Sequence, residues 1–251
     1  MMHYRSYRPN IGFSFGGGLT PIVKKLLIAN VAAFVFVILA GAGGFGQMIR
    51  ELLMLTPYTV VHRFAVWQLV TYMFLHAGFW HILFNMFALW MFGGELEKTW
   101  GGRRFLRYYF LTGIGAGLCV VLLSPSSVIP TVGASGAIYG ILMAYGLLFP
   151  NRIIYVPIFF FFLIPIPAKY LVMILGGIAF LSAVSAQGGS ISHIAHLGGM
   201  VVGFFYLRRT SVFFDLRNYY YRWLRHRRQR QFEVYTRERD REERRRGPWV
   251  N

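Results

Sequence analysis

Six runs of mostly apolar residues, at 24–41, 78–95, 105–124, 134–149, 169–187 and 191–208, leave this 251-residue chain few ways to fold. In each run the apolar residues surround a helix on all sides instead of forming one stripe, so none has the wet face of a soluble surface helix. About 20 mostly apolar residues are what a helix needs to cross ~30 Å of hydrocarbon. The chain is 56% hydrophobic with a mean hydropathy of +0.48, yet its formal net charge is +17. The two are compatible because charge is confined to the ends and the short connections. The expectation is an all-α membrane protein of six transmembrane helices: a cytoplasmic segment 1–23, a membrane domain 24–208 and a basic cytoplasmic tail 209–251. It would be a multi-pass integral protein, of the plasma (inner) membrane if bacterial.

Charge gives the orientation. Arg5, Arg8, Lys24 and Lys25 precede the first run, and Lys98, Arg103, Arg104 and Arg107 lie near the connection between the second and third. Arg152 and Lys169 flank the connection between the fourth and fifth, and the tail is rich in arginine. The alternate connections contain only Arg50 and Arg63. The positive-inside bias therefore puts both termini in the cytoplasm, which requires an even number of crossings. Lys24-Lys25, the apolar core and Ala40-Gly41-Ala42 resemble a secretory signal peptide, but the long lead and the extra apolar residues favour an uncleaved anchor. Residues 42–77, with Pro57 and Trp67, read as a long outer connection. Residues 153–167 are very apolar but carry Pro157, Pro165 and Pro167. Proline removes a backbone donor and clashes with the preceding turn, so this stretch reads as interfacial or partly re-entrant backbone leading into the fifth run.

Several classes of function are excluded. The single cysteine, Cys119, permits no intrachain disulfide and reads as a small packing residue. No Cys/His cluster has zinc-ligand spacing, so no metal or other cofactor is expected. Of the 26 basic residues, 14 are arginines within 208–246, interspersed with Glu238, Asp240, Glu242 and Glu243. Arginine just beyond a membrane helix indicates cytoplasmic retention and contact with anionic lipid; without a base-reading module it does not indicate nucleic acid.

Polar side chains within a membrane span are costly and are functional candidates by default. His81 and Asn85 lie one helical turn apart on one face of the second run. Ser135 opens the fourth run and His196 falls in the second turn of the sixth. These three runs all enter from the outer side, so the four residues share one depth, about 5–8 Å below the helix starts at 1.5 Å per residue. Each has a plainer reading as well. Gly133-Ala134-Ser135-Gly136 could be a close-packing face, Gly199 and Gly203 form a GxxxG pair, and His193 lies near His196 on a neighbouring face.

Together the four suit nucleophilic catalysis. A serine at a helix start is flanked by backbone N–H groups that lack intrahelical partners and can receive an oxyanion, its own N–H among them. A histidine can take its proton and return it to a leaving amine. The acids narrow the chemistry. Glu51, Glu95, Glu97, Asp215, Glu233, Glu238, Asp240, Glu242 and Glu243 are all nine, and none lies at the outer end of the second, fourth or sixth run. An aspartic intramembrane protease, an HExxH zincin and a Ser-His-Asp triad each lack a required group, and a proton-coupled transporter lacks the usual membrane carboxylate. A serine–histidine dyad is left.

These residues resemble those of the rhomboid intramembrane serine proteases. Gly133-Ala134-Ser135-Gly136-Ala137-Ile138-Tyr139-Gly140 is similar to the family's GxSGxxY segment, implying Ser135 as nucleophile and Tyr139 as the aromatic beside the catalytic histidine. His81-Ile82-Leu83-Phe84-Asn85 matches HxxxN on the second helix, implying oxyanion roles. His196 through Gly203 matches HxxGxxxG on the sixth, with Gly199 and Gly203 as its glycines, and this register selects His196 over His193. The resemblance covers roughly 65–208, including Gly93-Gly94-Glu95-Leu96-Glu97-Lys98. One departure is Trp67-Gln68, where many members carry Trp-Arg. His76, just outside the second run, reads as structural. The implied fold is a six-helix rhomboid-like bundle, and the implied substrates are transmembrane proteins cut in or near their membrane segments. Two alternatives are a non-catalytic rhomboid-like binder, whose relatives typically lose the serine or histidine, and a small transporter.

Overall fold

A computed structural model describes residues 18–158, 162–185 and 192–209. The N-terminal segment up to residue 17, the expected 188–190 connection and the tail beyond 209 lie outside the described residues. The chain divides into two units, Met1–Phe204 and Phe205–Asn251; of the second, only 205–209 is described, and it is helical.

The first unit is mostly helical. It opens with α1 (Pro21–Ala42), followed by three short helices, α2 (Gly46–Leu53), α3 (Pro57–Arg63) and α4 (Gln68–Thr71). The second apolar run becomes α5 (Phe79–Ala88), a π turn at Leu89–Gly93, and α6 (Gly94–Trp100). Then come α7 (Gly102–Leu123), α8 (Ser135–Leu148), α9 (Ala168–Val184) and α10, which starts at 192 and reaches the end of this unit. Pro21 and Pro57 occupy helix starts, where the missing N–H costs nothing and φ is already helical. Between α6 and α7 the chain reverses at Gly101 with φ +80, a left-handed conformation that a side chain would disfavour.

The exterior is more apolar than a water-soluble protein tolerates. Phe84, Leu122, Met173 and Leu181 are each more than 60% exposed, among many other exposed large apolar side chains on α1, α5, α7 and α9. By length and composition α1 and α7 are each able to cross a membrane, and the segments 68–74 and 79–100 pass together although bent by 97° at their break. The helices α8 and α9 are apolar but shorter.

One departure from an all-α fold is found. The described residues of the 153–167 stretch are paired strands, β1 (Ile153–Ile158) antiparallel to β2 (Phe162–Pro167). The β-branched and aromatic side chains favour extended backbone, while prolines bar a helix. Pairing the strands satisfies amide groups that such an apolar stretch could not leave bare.

Polar side chains hold the bundle together at a few points. Glu97 is 5% exposed, and its carboxylate accepts from Thr20 Oγ1 at 2.5 Å, from the Ile22 N–H at 2.9 Å and from the Val23 N–H at 2.9 Å. Those N–H groups belong to the first turn of α1, which has no partners within its own helix, and the negative charge also meets the positive end of the helix dipole. Replacing Glu97 with Ala strands three donors in a buried site. We expect a loss of about 3 kcal/mol, read as a lower thermal midpoint in detergent, and an unchanged midpoint would show that α1 is not anchored this way. Glu95 is held at the same end of the bundle by Tyr145, whose hydroxyl donates at 2.6 Å, and by an ion pair with Arg152.

Candidate active site

Ser135 is the first residue of α8, directly after a bend at Gly133 and after Ala134, whose backbone is already in the right-handed helical region. Its Oγ lies 2.8 Å from His196 Nε2 on α10, across 61 residues of sequence. His193 meets His196 only ring edge to ring, with centroids 5.9 Å apart. The ring of Tyr139, one turn along α8 from Ser135, stacks on His196 with centroids 4.2 Å apart and planes within 3°. That stacking fixes the imidazole plane so that Nε2 faces the serine. With the Ser135 hydroxyl donating, neutral His196 accepts at Nε2 and carries its proton on Nδ1.

The approach of the two helices rests on glycine. A Cβ on Gly199, one turn below His196, would fall inside the carbonyl of Gly136, the residue after Ser135. A Cβ on Gly203 would overlap the Tyr108 hydroxyl, and one on Gly136 would come within 2.6 Å of Ala116 Cβ on α7. Bare backbone on both sides brings α8 and α10 to a separation at which a short serine and a histidine can meet.

His81 stands over the approach to Ser135. A Cβ on Gly133 would lie 2.8 Å from His81 Nε2, and Gly133 also has φ +120. Only glycine suits that conformation, and only a bare Cα leaves room for the ring. The Ala77 N–H donates to His81 Nδ1 at 3.3 Å, so the neutral ring has its proton on Nε2, the nitrogen beside Gly133. Asn85 is buried one turn along α5, where its Nδ2 donates to the His81 carbonyl at 2.7 Å. It therefore steadies the turn that carries His81, with one amide hydrogen left over. His76 is buried with its ring edge-on to His81, centroids 5.2 Å apart.

No carboxylate orients His196 among the described residues. Glu97 caps α1, Glu95 pairs with Arg152, and Glu51 accepts from Gln47 at 2.9 Å. The same residues contain no group of three His, Cys, Asp or Glu that could hold a metal ion.

Sequence reasoning missed the loop scaffold that presents Gly133. Leu55 and Thr131 exchange backbone hydrogen bonds at 3.1 and 2.8 Å, and the Gly133 N–H donates to the Tyr72 carbonyl at 2.9 Å. Gln68, the departure noted beside Trp67, is 2% exposed. Its Oε1 accepts from the Thr56 N–H and Thr59 Oγ1, and its Nε2 donates to the Glu51 and Leu52 carbonyls. A neutral amide thus organises the loop at this position. The only sequence signal for it was a polar residue next to a tryptophan.

The family profile of the Rhomboid domain matches residues 63–212. Among curated proteins, the chain is 32% identical over 193 residues to "Rhomboid protein 1, mitochondrial" of Saccharomyces cerevisiae, covering 74% of this chain and 52% of that one. It is 35% identical over 168 residues to "RHOMBOID-like protein 1" of Arabidopsis thaliana, covering 63% and 39%. It is 36% identical over 141 residues to "Rhomboid protease GluP" of Bacillus subtilis, covering 55% and 25%. The chain thus spans between a quarter and about half the length of these three relatives.

Proposed function

The chain belongs to the rhomboid family of intramembrane serine proteases, matching its domain over residues 63–212 of 251, and from that premise we propose that it hydrolyses peptide bonds in or near transmembrane segments of other membrane proteins with a Ser135–His196 dyad. The observation that carries this reading is the 2.8 Å contact between Ser135 Oγ and His196 Nε2 at the start of a membrane helix. His196 takes the hydroxyl proton as Oγ attacks the scissile carbonyl. The developing oxyanion is received by the Ser135 N–H, by His81 Nε2–H and by the remaining amide hydrogen of Asn85, which also holds that turn of α5. His196 then gives the proton to the leaving amine, and the acyl-enzyme remains on Ser135. A water molecule, deprotonated by His196, releases the carboxylate product and restores the serine.

The depth of the site follows from the same elements. Six helical segments crossing the bilayer, with both termini in the cytoplasm, agree with the distribution of charge along the chain. The helix α8 has 14 residues, about 21 Å at 1.5 Å per residue, against ~30 Å of hydrocarbon. With its far end at the Arg152 level, its first residue stops short of the opposite surface, so Ser135 lies within the membrane under an opening to the outer side. The arginine-rich tail, residues 209–251, lies on the cytoplasmic side against anionic lipid, and the location is the plasma membrane if the chain is bacterial. Easily unwound substrate helices with a small residue at the cut suit a nucleophile reached through a narrow opening.

A serine-reactive fluorophosphonate probe tests the nucleophile directly. The full chain in detergent or liposomes should be labelled, and Ser135→Ala should not be. Equal labelling of both proteins would remove Ser135 from the mechanism, and no labelling of either would favour a non-catalytic binder.

A further inference from the structure

The β1–β2 hairpin stands apart from the Ser135–His196 site. Every residue of both strands is apolar or tyrosine, so neither face carries the polar side chains that a hairpin in water presents. A lone two-stranded hairpin is marginal in water in any case. One face leans on the bundle at its root, where Ile154 is 6% exposed. The other is open, with Ile153 45%, Tyr155 38% and Leu163 50% exposed.

The strand register accounts for the prolines. The Ala168 N–H donates to the Arg152 carbonyl at 2.8 Å, immediately beyond the Ile153–Pro167 pair. Hydrogen-bonded and non-bonded pairs alternate in an antiparallel ladder. Ile154–Ile166 and Val156–Ile164 are therefore bonded pairs, whereas Ile153–Pro167, Tyr155–Pro165 and Pro157–Leu163 are not. All three prolines fall in the second class, where an N–H would point away from the partner strand. The ladder loses nothing, and of the three outward positions on β2 only Leu163 keeps a donor. On β1 the outward donors of Ile153 and Tyr155 are kept, but β2 is a poor template for a further strand. It suits a medium poor in water, where an unpaired N–H is costly.

The outward carbonyls and these few donors remain, and open sheet edges do not occur in lipid-exposed hydrocarbon. A position at the boundary between headgroups and acyl chains meets both conditions. The root of the hairpin has the flanks of such a position. Arg152 and Lys169 are cations beside it, and Lys169 Nζ lies 5.0 Å from the ring centre of Tyr170, the mixture of basic and aromatic groups typical of a membrane interface. Just beyond, α9 turns Met173 and Ile174 outward, so the open face continues an apolar exterior.

We propose that this hairpin is an interfacial membrane-binding element. It lies in the leaflet where α8 ends and α9 begins, with Ile153, Tyr155 and Leu163 toward the acyl chains. The proposal rests on the membrane reading of the helices and not on the chemistry of Ser135. The test uses the full chain in single-copy phospholipid nanodiscs, with Cys119→Ser removing the one native cysteine and Leu163→Cys carrying a small environment-sensitive fluorophore. Phospholipids brominated near the headgroup end of the chain should quench it, and aqueous iodide should quench it several-fold less than the free dye conjugate. An Ile153→Cys label should behave alike, and circular dichroism and the thermal midpoint check the fold of each variant. Full iodide quenching without bromolipid quenching would place the hairpin in water and overturn the proposal. Iodide protection without bromolipid quenching would mean a protein cover, and protection confined to discs holding two copies would mean pairing between copies; either also overturns it. Fluorophosphonate labelling in the same discs reports on Ser135 separately.

Discussion

Ser135→Ala should lower cleavage of a model transmembrane substrate by about ten-thousandfold or more while leaving the protein folded. The magnitude follows from what the hydroxyl does. It is the attacking atom, and in serine hydrolases loss of the nucleophile leaves only what binding and the oxyanion donors supply. Little else changes on substitution. Ser135 is the first residue of α8, so its side chain interrupts no helix ladder, and alanine is a good helix former. The hydroxyl's hydrogen bond to His196 is the contact removed, so the thermal midpoint should move little. Cleavage and stability are therefore separable in this variant, and residual cleavage near the wild-type rate would refute the dyad.

Gly199→Ala should act through geometry. The added Cβ has no place to go, because the atom it meets is the backbone carbonyl of Gly136 and not the end of a flexible side chain. The helices α8 and α10 must separate at the level where Ser135 and His196 meet. Opening the 2.8 Å contact by about 1 Å takes it beyond hydrogen-bonding range. A misplacement of that size costs on the order of a hundredfold in rate, and overpacking costs about 1–3 kcal/mol in stability. Fluorophosphonate labelling should fall together with cleavage, since both need the activated serine. Gly177→Ala is the matched control, because a Cβ there has nothing within 4 Å and should be silent. If Gly199→Ala matched this control, the close approach would not be what positions the dyad.

Much of the fold was legible because a membrane segment is a local property. Whether residues 105–124 prefer lipid depends on those residues alone, and α7 accordingly runs from Gly102 to Leu123. The 153–167 stretch was harder. Its prolines ruled out a helix, but the choice between bare re-entrant backbone and a hairpin depends on which residues face which, and composition does not contain that register. Gln68 shows the same limit. A glutamine beside a tryptophan carries no hint of the four hydrogen bonds that tie the 51–68 region together, since its partners come from several short segments.

The candidate site divides along the same line. By itself, the sequence determined which polar residues sit in apolar helices, that Ser135 opens one of them, and that no acid stands ready at the outer ends to complete a triad. Tertiary structure decided the rest. It brought His196 within 2.8 Å of Ser135 and left His193 at the ring edge; it laid Tyr139 flat against His196 and put Glu97 at the start of α1. Burial of an apolar segment is additive along the chain and can be read residue by residue. The distance between two helices is set where their backbones touch, at Gly136 and Gly199, and that contact exists only once both helices are in place.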